Sequence, residues 1–105
     1  MSMLAGPRVR HTVVFALRHP AGSAEEASFL EALATLAEID GVEELQVARE
    51  VSPKNEYTHA VAMEFADEQA YRTYDADPRH QGFVTERWDA EVSAFLEVDT
   101  VALEG

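Results

Sequence analysis

The chain predicts an α+β domain whose elements follow in the order β-α-β-β-α-β. Three observations carry that reading. Apolar and polar residues alternate at period two over residues 9–17 and 57–65, the signature of half-buried strands. Apolar residues recur at helical spacing between Phe29 and Ile39. Capping residues, Ser23 and Asp67, open both helical regions, with glycine and proline breakers between the elements. This order is the split βαβ, or ferredoxin-like, arrangement, with an antiparallel sheet.

Each element follows from its residues. Residues 1–7 read as a loose tail closed by Gly6-Pro7, and residues 8–105 as one domain, because 105 residues leave no room for two. In the first strand Val9, His11, Val13, Phe15 and Leu17 share a face. Val14 and Ala16 make the opposite face partly apolar, so this strand is expected to be central and covered on both sides. Ser23 and Glu26 fit a capping box in which Glu26 reaches back to the N-cap. Phe29, Leu30, Leu33, Leu36, Ala37 and Ile39 then mark an apolar stripe about four turns long, ended by Asp40-Gly41. Residues 42–51 read as the second strand, with Leu45, Val47 and Val51 on one side and Arg49 breaking it as an edge strand would. Residues 57–65 form the third, with Tyr57, His59, Val61, Met63 and Phe65 in step. Asp67 caps a short helix carrying Tyr71 and Tyr74. Asp77-Pro78 interrupts it and starts another that presents His80, Phe83, Val84 and Trp88 on one side and runs on toward Val92. Residues 94–103, with Phe95, Leu96, Val98 and Val101, make the last strand. The first and third strands are expected side by side and parallel, with His11 and His59 as neighbours near the middle of the sheet.

Composition excludes several functions. Twenty acidic residues against eight basic ones give a net charge of −12, which repels nucleic-acid phosphates and anionic membrane surfaces. Without cysteine there is no disulfide framework and no thiol chemistry. No apolar run is long enough for a signal peptide or a membrane span, which points to a cytoplasmic protein. No glycine-rich phosphate loop or dinucleotide fingerprint occurs, so no cofactor is expected. The histidines lack tight metal-ligand spacing, and Asp75 and Asp77 read as helix-capping residues, so no metal is expected either. A four-stranded sheet with few helices and a doubly apolar first strand is expected to pair as a homodimer.

The histidines carry the functional signal. A buried neutral imidazole needs hydrogen-bond partners. His11 and His59 stand on otherwise apolar strand faces, where a backbone carbonyl or a buried water would satisfy a purely structural histidine. Tyr74 and His80 add a Tyr-x-x-x-Pro-x-His segment. Tyr71 competes with Tyr74, Tyr57 reads as rim, and His19, before Pro20, as solvated.

The chain resembles the Dabb family, the stress-responsive dimeric α/β-barrel proteins. The resemblance is carried by His11-Thr12-Val13-Val14-Phe15, Ile39-Asp40-Gly41-Val42, Tyr57-Thr58-His59, the Tyr74 to His80 segment with Gly82-Phe83, and Asp99. It implies a ferredoxin-like subunit that pairs through its sheet into a dimeric α/β barrel, with a pocket between sheet and helices. In the branch similar to olivetolic acid cyclase, a polyketide cyclase that closes a linear thioester by aldol condensation without cofactor, the resemblance makes Tyr74 and His80 catalytic and places His11 and His59 in the pocket. This chain has small or apolar residues near Ala32 where that branch has a tyrosine, and Asp77 where it has a histidine. Aldol closure needs a base for a proton next to a carbonyl and a donor for the developing oxyanion; imidazole suits the first task and a phenol the second. Phe15, Val61, Met63, Phe83 and Trp88 would line a pocket for a small hydrophobic or aromatic ligand. Two classes stay open: a cofactor-independent cyclase, isomerase or monooxygenase, and a non-catalytic small-molecule-binding or stress-response module.

Overall fold

A computed structural model describes residues 4–103. Of the expected tail, residues 1–3 lie outside the described residues, while Ala5 and Arg8 close a turn through an N–H···O=C bond of 3.1 Å. Four strands, β1 (Val9–Leu17), β2 (Glu43–Arg49), β3 (His59–Phe65) and β4 (Val92–Val101), form one antiparallel sheet in the order β2-β3-β1-β4.

The antiparallel pairing of β1 with β3 corrects the expectation of parallel neighbours. β3 folds back from β2 through a short loop and runs against it, then inserts between β2 and β1, which share a direction. In the resulting register Phe15 stands opposite His59 and His11 opposite Met63. The two histidines are therefore four positions apart along the sheet, about 13 Å at ordinary strand rise.

Helix α1 (Ala24–Ala34) continues into a 3₁₀ turn (Thr35–Glu38). Helix α2 (Glu68–Ala76) is capped by Asp67, whose carboxylate accepts the Ala70 N–H at 2.8 Å. Asp77 caps α3 (Pro78–Phe83) through the Arg79 N–H, with Pro78 in the first turn. The chain then passes through a π-helical turn (Val84–Trp88) and a last helical turn (Asp89–Glu91). The expected single helix thus ends before Val92, which opens β4 two residues earlier than the apolar pattern suggested. Among the described residues no helix is long and apolar enough to cross a membrane.

The core lies between the helices and the odd-numbered face of the sheet. Val9, Val13, Phe15 and Leu17 of β1 and Val61, Met63 and Phe65 of β3 meet Phe29, Leu33 and Tyr74 there, all buried. The chain leaves the opposite sheet face open, so β1 is covered on one side only. On that face Leu96 and Val98 remain 52% and 44% exposed beside half-buried Thr12 and Val14. β2 is an edge strand, as Arg49 foretold, and it stops before Val51, which is solvent-exposed. A register shift between Glu43 and Gln46, with Glu44 at φ 52°, breaks the regularity of that edge.

Candidate functional site

The two strand histidines have different surroundings. His59, at the start of β3, is enclosed. Its Nε2–H donates to the Glu26 carboxylate at 2.9 Å, Nδ1 meets the Thr58 hydroxyl at 2.7 Å, and its ring stacks on Phe15 at 5.5 Å with planes 16° apart. Both ring nitrogens are used, so His59 has no free lone pair for a ligand. Glu26 does begin the helix beside Ser23, whose hydroxyl accepts the Glu26 N–H at 3.1 Å. Its carboxylate accepts from Gly22 rather than from the N-cap residue itself, and also from Arg49.

These donors hold the Glu26 carboxyl at about 2: the Gly22 N–H contributes most, then Arg49, while burial opposes them and His59 assists. A depressed carboxylate stabilises the fold above its ordinary value and loses that contribution as pH falls through the folded value. Thermal melts of Glu26→Gln should accordingly lie below wild type above pH 4.5 and converge with it toward pH 2. Parallel curves over that range would mean that the carboxylate plays no such part.

The other groups gather around a cavity of about 200 Å³ between sheet and helices. His11, Val13, Val61 and Met63 form its sheet wall, with Phe95 and Glu97 from β4. Leu33, Leu36, Tyr74, His80, Phe83, Val84, Trp88 and Asp89 close it from the helix side. Phe15 and His59 are not among these lining residues. Phe15 lies behind the wall, fully buried against Trp88 at 5.0 Å and Phe29 at 5.9 Å. The structure thus brings His11, Tyr74 and His80 together with Val61, Met63, Phe83 and Trp88, and sets His59 and Phe15 apart.

Hydrogen bonds fix how the three polar groups present themselves. His80 Nδ1 lies 2.9 Å from the Asp75 carbonyl oxygen. A carbonyl can only accept, so Nδ1 carries the proton and neutral His80 keeps its lone pair on Nε2. His11 Nδ1 likewise donates to Asp99, which also accepts from the Tyr71 hydroxyl at 3.4 Å. The Tyr74 ring lies 4.6 Å from His80 and 6.5 Å from His11. Among the described residues, neither Nε2 atom nor the Tyr74 hydroxyl has a protein partner. Fully enclosed side-chain nitrogens and oxygens are all paired, so these three atoms reach open space. Burial, and then the carboxylates of Asp75 and Glu97, push the Tyr74 phenol well above its ordinary value, so it remains a proton donor.

Sequence reasoning named Glu26 only as a capping residue and missed its bond to His59, missed Glu97, and reached Asp99 only through resemblance. The available signal was the period of the last strand: Phe95, Glu97, Asp99 and Val101 share a face, and pairing with β1 sets Asp99 opposite His11. His11, Glu97 and Asp99 also bring ligand atoms within 4.8 Å of one another, the grouping among the described residues that could hold a metal ion, although both carboxylates are exposed.

A ferredoxin-like sheet with an acid–base cavity under its helices defines a class of small α/β-barrel domains. The chain belongs to the Dabb family: the stress responsive A/B barrel domain matches residues 9–102. A Dabb protein of ferredoxin-like fold from Mesorhizobium loti is 46% identical, with a TM-score of 0.88 over 91% of this chain and 97% of that one. The hydroxynitrile lyase of Passiflora edulis is 16% identical, with a TM-score of 0.81 over 95% of this chain and 98% of its own. A dimeric ferredoxin-like protein of unknown function from Thermobifida fusca is 19% identical, with a TM-score of 0.76 over 93% of each chain. The last two likenesses are of fold alone. None of the curated proteins matches the chain.

Proposed function

We propose that this chain is a cofactor-independent enzyme that moves a proton at a carbon next to a carbonyl, in the manner of an aldol-type cyclase or lyase, and that it works as a cytoplasmic homodimer. One observation supports the chemistry: three proton-exchanging side chains, His11, Tyr74 and His80, line one largely apolar cavity. His80 Nε2 takes the proton, the electron pair moves onto the carbonyl oxygen, and the Tyr74 hydroxyl donates a hydrogen bond to the resulting enolate. The enolate then recovers a proton from His80, or attacks a second carbonyl whose oxygen takes that proton from His80 and becomes a hydroxyl. His11, held by Asp99, positions substrate or water. His59 acts at a distance, by fixing Glu26 and stacking on Phe15, which lies behind the wall.

The cavity volume narrows the substrate. A pocket of about 150 Å³ holds benzene, so about 200 Å³ suits one ring with a short side chain and does not enclose an extended polyketide. The family's stress-responsive description favours the second reading, a binding module that uses the same cavity without turnover. The α-proton exchange of small aryl ketones in D₂O, followed by NMR, separates the two. The enzyme reading expects exchange well above buffer rate; ligand-induced shifts without exchange would leave the binding module.

The exposed Leu96 and Val98 face supports the homodimer, as does the dimeric neighbour of the same fold. Light scattering after gel filtration should give about twice the 11.6 kDa of one chain. A monomer at micromolar concentration would rule the pairing out.

A further inference from the structure

The cavity lining contains two carboxylates, Asp89 and Glu97, and neither lysine nor arginine. Asp75 and Asp99 stand immediately behind it, as the partners of His80 and His11. The nearest arginines on the helix side are engaged: Arg87 pairs with Glu91 and Arg79 with Asp77. The rest of the lining is apolar or aromatic, and the chain as a whole carries −12.

From this arrangement we infer that the cavity selects its ligand by charge, accepting neutral or cationic single-ring molecules and rejecting carboxylates and other anions of the same size. The inference rests on reading this cavity as the ligand site. Asp89 and Glu97 are exposed, so solvent partly screens them, yet they border a largely apolar space on one side and still repel a third negative charge placed in it, by a modest factor. The imidazoles and the phenol can hydrogen-bond an anion, but no lysine or arginine lines the cavity to compensate its charge. The protein's own phenols meet the same field: burial first, then Asp75 and Glu97, oppose ionisation of Tyr74, and burial first, then Asp99, Glu97 and Asp75, oppose that of Tyr71. A cationic ligand would meet the reverse field, with the Trp88 and Phe83 rings beside it. A substrate delivered as a free acid or a phosphate ester would be excluded. Taken with the proposed chemistry, the reaction that supplies the substrate releases an uncharged or cationic aldehyde or ketone.

Benzyl alcohol, benzylamine and benzoate differ little in size and span the three charge states. Their binding can be measured at pH 8 through the fluorescence of Trp88, the sole tryptophan of the chain. Benzyl alcohol and benzylamine should bind, with benzoate about tenfold weaker than the alcohol. The double variant Asp89→Asn, Glu97→Gln should bring benzoate's affinity close to that of the alcohol measured on the same variant. A benzoate penalty of threefold or more that the variant removes supports the inference. A penalty under threefold, or one that the variant leaves unchanged, overturns charge selection while the ligand site stands. Binding of none of the three overturns both.

Discussion

His80→Ala is expected to slow α-proton exchange by about two to four orders of magnitude, the usual span for a lost acid–base group. The fold should persist. The His80 side chain is 15% exposed, and the Asp75 carbonyl it bonds also accepts from Gln81 Nε2 at 2.7 Å, so removing the imidazole leaves no orphaned acceptor. The measurement is the exchange rate of an aryl ketone beside the circular dichroism of the same sample. A variant that exchanges at the wild-type rate would move the base elsewhere, and His11 Nε2, across the Tyr74 ring, would be next in line. Tyr74→Phe separates the two roles in the proposal: it keeps the ring that packs on His80 and removes only the oxyanion donor.

The largest expected effect on stability lies at a residue the cavity does not touch. Phe15→Ala should destabilise the fold by about 3–5 kcal/mol, the range for deleting a buried phenyl ring. Phe15 is fully enclosed and supports three neighbours: the His59 ring stacks on it, while Phe29 and Trp88 lean against its faces and edge. Urea unfolding measures the loss directly. A cost below about 1 kcal/mol would show that the aromatic cluster repacks freely and that Phe15 is not the support of the cavity wall.

These two residues show what could be read in the chain before any coordinates. Period-two alternation identified β1 and β3 and put His11, Phe15 and His59 on the inner face, because one buried face suffices to fix side-chain direction. The Tyr74 to His80 segment announced itself through Pro78, which forces a helix break and sets His80 in the next first turn. Alternation says nothing, however, about how far apart two strands' residues lie. Register depends on the antiparallel pairing, and the wrong direction turned His11 and His59 into neighbours when they are four positions apart. Nor does it name long-range partners. Glu26 was legible as a capping residue, yet its carboxylate lies between Gly22, Arg49 and His59, a contact across 33 residues that only the folded sheet creates. The second strand was overextended to Val51 because β-branched residues near a turn look the same whether paired or free.

The π-helical turn at Val84–Trp88 makes the cavity sensitive to local helix geometry as well as to side-chain chemistry. A π turn holds one residue more than the α-helical turn it interrupts, and everything after it is offset in phase. Substitutions that tightened this turn to ordinary α geometry at constant chain length would swing the following positions by about 100°, one residue's rotation in an α-helix. Trp88 and Asp89 would then leave the cavity together, taking with them one aromatic wall and one negative charge. A change of helix type at this point, which an inventory of lining residues would pass over, retunes the size and the polarity of the ligand in one step.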